Sequence, residues 1–302
     1  MNIVIVFDEP GEMGYPFNTA DYYDAYTELS ENIGNLGHQT YFARGKDSVI
    51  GKNSFRGVWV SSHGSLVQIE CIKADVVYDK STFLNPDDHD MVVNSSYIKS
   101  LCNDKSITYE RFKELMPTTK LVSDHEELVI ELSKRSNSRM VVKPISGSQG
   151  NGVLIGYTHE LVEVIPDNYI TPCIVQEFVD SSVGIPGIVE ALHDIRVVMM
   201  NSKPVACYIR IPAEGSYVAN VSLGASHRVI DVKSIPNDVL RIVLVIDRDF
   251  SEHGSRLYSV DLCNSLNGYK LIEINSQPGM WSSLKNNSFK HYNKKMAQFL
   301  ID

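Results

Sequence analysis

The chain has 302 residues, 43% hydrophobic and 22% charged, enough apolar material for a buried core divided over two or three compact units. A formal net charge of −9 argues against nucleic acid, which is held by a surplus of lysine and arginine, so only a local basic patch could serve such a partner. No run of roughly 18 apolar residues occurs, and the N-terminal stretch Met1 to Asp8 lacks the marks of a signal peptide, so the expected compartment is the cytoplasm, without a membrane partner.

Ile3 to Phe7 reads as a strand and Asp8 to Phe17 as a loop. Asn18 to Leu36 then reads as an amphipathic helix with Asn18 as N-cap and Gly37 just past its end. Gln39 to Ala43, Gly57 to Ser61 and Ala74 to Tyr78 follow as strands, predicting a parallel α/β sheet for a first unit, residues 1–95. The loop leaves the carboxyl end of the first strand, where such sheets bind ligands; it is either a substrate loop or a plain connection. Asp87, Asp88, His89 and Asp90 follow Asn85-Pro86, a setting that favours a solvated turn over a metal cluster. Cys71, Cys102, Cys173, Cys207 and Cys263 are widely spaced, which argues against a zinc site or a disulfide framework and for mostly buried thiols.

A helix opening near Asp104 and Lys105 ends before Pro117. A lysine at the positive end of a helix dipole is misplaced, and an anion there would repair this. After a helix from Asp124 to Ser133, Met140 to Gly156 reads as strand, glycine-rich loop, strand, with Lys143 before the loop and Gly147, Gly150 and Gly152 within it. Such a loop brings backbone N–H groups to phosphate oxygens, although a simple hairpin shares the pattern, and the spacing fits neither the P-loop nor the dinucleotide fingerprint. The strand Ile174 to Val179 closes a second unit, residues 96–179.

The third unit, residues 180–302, holds a hairpin of Asp194 to Met200 and Pro204 to Arg210, a helix from Asn237 to Asp247, strands at Tyr258 to Leu262 and Lys270 to Asn275, and a helix from Ser288 to Leu300. Alternation along the last strand predicts Leu271, Glu273 and Asn275 on one face. Together with Asp261, the oxygens of Glu273 and Asn275 form the hard set that suits Mg²⁺ holding phosphates. A hairpin with a wet polar face is the plainer reading.

Taken in order, these pieces resemble the ATP-grasp enzymes, nearest in pattern to the RimK-type ligases and the glutathione synthetase branch, over Asn103 to Gly279. The matching pieces are Asp104-Lys105 at a helix start, Val141 to Gly152, the hinge Gln176 to Val179, Asp194-Ile-Arg196, Arg210, Asn220, and the ending built of Asp261, Glu273, Asn275, Pro278 and Gly279. The resemblance implies an α/β chain of the α+β ATP-grasp kind. An N-terminal parallel α/β substrate domain would be followed by a small lid domain and a C-terminal mixed-sheet ATP-grasp domain.

The cofactors so implied are ATP and Mg²⁺. Lys105 and Lys143 would bind the phosphates with Ser148 and Gly150 of the loop. Gln176, Glu177, Phe178 and Val179 would frame the adenine, and Asp194 the ribose. Asn220 and Leu271 would complete the nucleotide site, and Asp261, Glu273 and Asn275 would hold the metal. Lys143 and Arg210 would be catalytic, Arg210 stabilising an acyl phosphate and the oxyanion that follows it, unless it forms a structural salt bridge. The implied activity is an ADP-forming carboxylate–amine ligase acting through an acyl phosphate on small carboxylate and amine substrates, an amino acid or peptide, with a homodimer left open. A kinase that stops at phosphoryl transfer and a nucleotide-binding scaffold, as in the synapsins, compete with it. Two departures stand out: Val218 occupies a position where RimK-type enzymes carry a second arginine, and the long segment 180–193 makes Asp180 and Glu190 rivals of Asp194 at the ribose.

Overall fold

The computed structural model describes the chain except residues 63–64, 136, 148–149, 220–223 and 284–288. The described residues form three sheets. The first contains β1 (Asn2–Phe7), β2 (Gln39–Arg44), β3 (Val49–Gly51), β4 (Ser54–Ser62), β5 (Ser65–Lys73), β6 (Val76–Asp79) and β7 (Val92–Val93). Its order is β3-β4-β2-β1-β6-β7, with β5 paired to β4. Helix α1 (Ala20–Asn35) connects β1 to β2 and buries Ala25, Tyr26, Leu29 and Ile33, residues at helical spacing, against Ile3, Ile5 and Phe42. It stops where Gly37 takes φ +83°, a conformation that suits a residue without Cβ. Its N-cap is Thr19, one residue later than expected.

The pairs β1–β2, β1–β6 and β6–β7 are parallel, as predicted, but β3, β4 and β5 add an antiparallel flap. No helix joins the predicted strands at Gly57 to Ser61 and Ala74 to Tyr78. The intervening residues form β5, because a run with Val67, Ile69 and Ile72 can pair directly with β4, as Ile69 does with Val58.

Helices α2 (Ser96–Asn103) and α3 (Lys105–Phe112) lead to the second sheet, β8 (Thr119–Val122), β9 (Arg139–Pro144), β10 (Leu154–Tyr157) and β11 (Cys173–Glu177), in the order β10-β9-β11-β8. Helices α4 (His125–Ser133) and α5 (Thr158–Val164) cover it through Leu128, Leu132 and Leu161, which pack on Met140, Val142 and Val175. The third sheet runs β14-β13-β12-β15-β16, from β12 (Asp194–Met200), β13 (Lys203–Ile211), β14 (Ser226–Ile230), β15 (Leu257–Ser265) and β16 (Gly268–Asn275). Its pairings are all antiparallel, so mixed strand directions occur in the first sheet instead.

Helix α6 (Asn237–Phe250) seals one face of the third sheet with Val239, Val243, Ile246 and Phe250. On the other face the far end, at Val198, Met200 and Tyr208, joins a core built by α1 and the last helix, α7 (Lys290–Ile301). Asn94 reinforces the junction: its Nδ2 donates to the carbonyls of Leu257 and Ser276, each at 2.7 Å. The near end of that face stays polar and carries the site.

Candidate functional site

Strand register brings the acids and arginines together. Asp194 lies opposite Arg210, Arg196 opposite Asp261, Asp261 opposite Glu273, and Ser259 opposite Asn275, so four adjacent strands line up their polar residues on one face. Arg196 grips Asp261 through Nε and Nη2, both at 2.5 Å. Arg210 bridges two acids, donating from Nε to Asp194 Oδ1 at 2.7 Å, from Nη2 to Asp194 Oδ2, and from Nη2 to Asp261 Oδ2 at 2.7 Å. All four charges are nearly enclosed, which demands such pairing.

Burial pushes the Asp194 carboxyl above the usual carboxylate range, with Arg210 offsetting part of the effect. Burial acts on Asp261 too, but there Arg196 and Arg210 outweigh it and hold the carboxyl below that range. Asp261 is therefore the firmly ionised acid.

The lysines reach this face from elsewhere. Asp104 caps α3, accepting from the N–H groups of Ser106 at 2.8 Å and Ile107 at 3.3 Å, which offsets the helix dipole locally. The side chain of Lys105 instead crosses the cleft, donating to the Gly147 carbonyl at 2.9 Å and lying 3.7 Å from Glu273. Lys143, buried at the end of β9, points its Nζ at the Ile272 carbonyl, 3.4 Å away. Burial pushes its ammonium down to about 8, against the pull of Glu273. The second and third sheets thus close on each other through two lysines whose acceptors are chiefly carbonyls. Gly147, Gly150 and Gly152 all take positive φ, and the Tyr169 hydroxyl donates to Gly152 O.

Other expected site residues fall as follows. Gln176 is buried and spends its amide on Thr119 Oγ1 at 2.8 Å. The N–H groups of Glu177 and Phe178 are taken by the carbonyls of Thr118 and Arg139, so Val179 offers the hinge N–H with no acceptor among the described residues. Leu271 is a correction. A register shift beside Asp261 places it opposite Leu262, and it is fully buried with Ile274 in the core under α6 rather than beside Glu273 and Asn275. Both Asp194 oxygens are held by Arg210, whereas Asp180 is exposed at the hinge end, accepting from the Ser182 N–H at 3.0 Å. Ser148 and Asn220 lie outside the described residues.

The turn expected there as solvated has a buried histidine: His89 accepts from the Asn53 N–H and stacks on Phe55, while the exposed Asp90 pairs with Lys52. Cys173 and Cys207 are buried, but Cys71 is exposed. The residue that sequence reasoning left without a role is Arg196; its place two positions after Asp194, on the same strand face, was the available signal.

For Mg²⁺ the donors are of the right kind. Asp261 and Glu273 sit directly across from each other, and Asn275 adds an amide oxygen one strand pair along. Among the described residues no group of three His, Cys, Asp or Glu side chains could hold a metal, so the amide would have to complete the set. Among the described residues, too, no helix is long and apolar enough to cross a membrane.

Known proteins resemble the chain in sequence and in fold. Residues 110–300, more than half of the chain, match the family described as "RimK-like ATP-grasp domain". A protein of Psychromonas ingrahamii named "Probable alpha-L-glutamate ligase" is 28% identical over 168 residues, 55% of this chain and 51% of its own length; one of the same name from Legionella pneumophila is 28% identical over 169 residues, with the same coverage. The chain thus spans about half the length of these curated relatives. D-alanyl-alanine synthetase A of Vibrio cholerae shares the fold at TM-score 0.66 and 12% identity, covering 99% of this chain and 96% of that one. A macrocyclase bound to its precursor peptide, from Microcystis aeruginosa, does so at TM-score 0.63 and 10% identity, covering 100% and 99%. On the matched domain, the chain belongs to the RimK-like ATP-grasp family.

Proposed function

We propose that the chain is an ATP-dependent carboxylate–amine ligase that forms an acyl phosphate and releases ADP and phosphate. The observation that carries this is the convergence of Lys105 and Lys143 from one side of a cleft on Asp261 and Glu273 from the other. Cations and a carboxylate pair at one point suit the β and γ phosphates of ATP, where charge develops when ADP leaves. Asp261, Glu273 and Asn275 would hold Mg²⁺, which would supply neutralisation of those phosphates.

In this reading the substrate carboxylate oxygen attacks the γ phosphorus and the bond to the β-phosphate oxygen breaks. The amine then attacks the acyl carbon, phosphate leaves and the amine loses a proton. Lys105 and Lys143 bind the phosphates, Lys105 drawing the glycine loop over them through the Gly147 carbonyl. Val179 is the hinge donor to the adenine. Asp180, Glu190 and Asp194 all remain candidates for the ribose, but Asp194 must first give up an Arg210 contact. Arg210 likewise reaches an acyl phosphate only by leaving an acid, and Arg196 keeps Asp261 charged and oriented when it does.

The test is a screen of purified protein for ADP release against pooled carboxylates and amines with Mg²⁺. ADP and phosphate formed only when both substrates are present support the ligase. ADP without phosphate release marks a kinase, and nucleotide binding without turnover marks a scaffold.

A further inference from the structure

Lys80 follows β6, at the carboxyl edge of the first sheet, and no carboxylate pairs with it among the described residues. Its Nζ donates to the Pro278 carbonyl at 2.9 Å and sits 5.5 Å from the centre of the Tyr78 ring. The neighbouring Asp79 is committed elsewhere, to Lys99 and to the N–H and hydroxyl of Ser81. Burial pushes the Lys80 ammonium down to about 7, against the pull of the neighbouring Asp79.

The position matters as much as the missing partner. Pro278 comes three residues after Asn275, and three residues span at most about 11 Å, so the carbonyl that Lys80 holds lies no farther than that from the end of the candidate metal strand. Tyr22, near the start of α1, closes on the same turn: its hydroxyl lies 3.4 Å from where a Cβ on Gly279 would be. Gln277 also donates to the Ser81 carbonyl at 3.1 Å, holding the turn against the end of β6. The carboxyl edge of the parallel part of the first sheet, a ligand-binding edge in open α/β folds, therefore faces the reaction site with Lys80, which no carboxylate pairs among the described residues. Lys105 and Lys143 reach the site from the second-sheet side, so Lys80 is the lysine on the substrate side.

We infer that Lys80 anchors a non-reacting carboxylate of an amino-acid substrate, placing that substrate between the first sheet and the turn at Pro278 and Gly279. This rests on the ligase reading. An ammonium–carboxylate bond replaces the carbonyl contact, and a substrate's reacting groups are thereby told apart from the carboxylate that Lys80 holds.

The experiment uses the full chain with whichever substrate pair the ADP-release screen yields, comparing wild type with Lys80→Met and Lys80→Arg. Lys80→Met is expected to raise KM for one amino-acid substrate by roughly tenfold or more, the scale of one lost charge-assisted hydrogen bond, with KM for ATP within about twofold of wild type. Lys80→Arg should recover part of the loss. The same substrate with that carboxylate converted to an amide should be poorly used by wild type and insensitive to Lys80→Met, which a merely structural role for Lys80 would not produce. Unchanged KM values, an equal loss with the amide, a substrate pair with no second carboxylate, or a rise in KM for ATP alone, which would assign Lys80 to the phosphates, each overturn the inference. ATP binding with no turnover by any pair overturns the ligase reading itself, and the anchor with it.

Discussion

Arginines and lysines are used differently on the two sides of the cleft. On the third sheet Arg196 and Arg210 are locked into planar pairs with Asp194 and Asp261. Lys105 and Lys143 from the second-sheet side, and Lys80 from the first sheet, meet mainly carbonyls, and burial holds two of these ammonium groups down, to about 8 and about 7. A guanidinium fork fixes a carboxylate in place, whereas an ammonium is a point charge that moves between acceptors. The arginine network is framework that orients the acids, Asp261 among them; the lysines hold positive charge in reserve for incoming anions.

The sharpest way to break this contrast is at Asp261. Asp261→Ala should abolish turnover and also cost roughly 3–5 kcal/mol of stability, because it leaves two buried guanidiniums short of an acid. Urea denaturation beside an ADP-release assay checks both. Glu273→Gln is the matched control: its side chain is about a third exposed (35%), so turnover should fall without that loss of stability. Equal stability of the two variants would show that the arginine network is not framework.

Lys143→Met addresses the other side. Turnover should drop by roughly 100-fold, the scale for losing one group aimed at developing charge, while stability stays level or rises because a desolvated cation has been removed. A stability loss as large as that of Asp261→Ala would make Lys143 framework as well.

The pH dependence refines this further. The folded Lys143 pKa, about 8, lies below the usual lysine value, so the fold disfavours the charged form. Its cost to stability is present below about pH 8 and fades as pH rises toward the unfolded value, roughly 10.4. Phosphates favour the charged form, so ATP affinity should fall as pH rises through about 8, with proton uptake on binding. Calorimetry in buffers of different ionisation enthalpy measures that uptake, and Lys143→Met should remove its share.

The smallest expected effect concerns the hinge. Thr119→Val strands the Gln176 amide and should cost about 1–3 kcal/mol, with ATP affinity unchanged because Gln176 supports the hinge from behind. Weakened ATP binding at equal stability would return Gln176 to the nucleotide site.

Much of this was legible from residue spacing. Strand alternation marked Glu273 and Asn275 as partners of Asp261, and the glycines marked the loop after Lys143. Spacing failed where geometry depends on a neighbouring strand. The shift that turns Leu271 into the core arises only from pairing with β15, and β5 was hidden because its partner β4 had to be known first.

By itself the sequence determined the local elements, the glycine positions, and which strands carry acids, amides and lysines, because side-chain alternation and turn chemistry act over a few residues. Only the tertiary structure decided what those charges do. Asp194, Arg196, Arg210 and Asp261 come from three strands, and Lys80 lies 198 positions from Pro278. Their pairing depends on register and sheet packing, and in a low-dielectric interior the identity of the nearest opposite charge separates a neutralised framework from a cation still short of its anion.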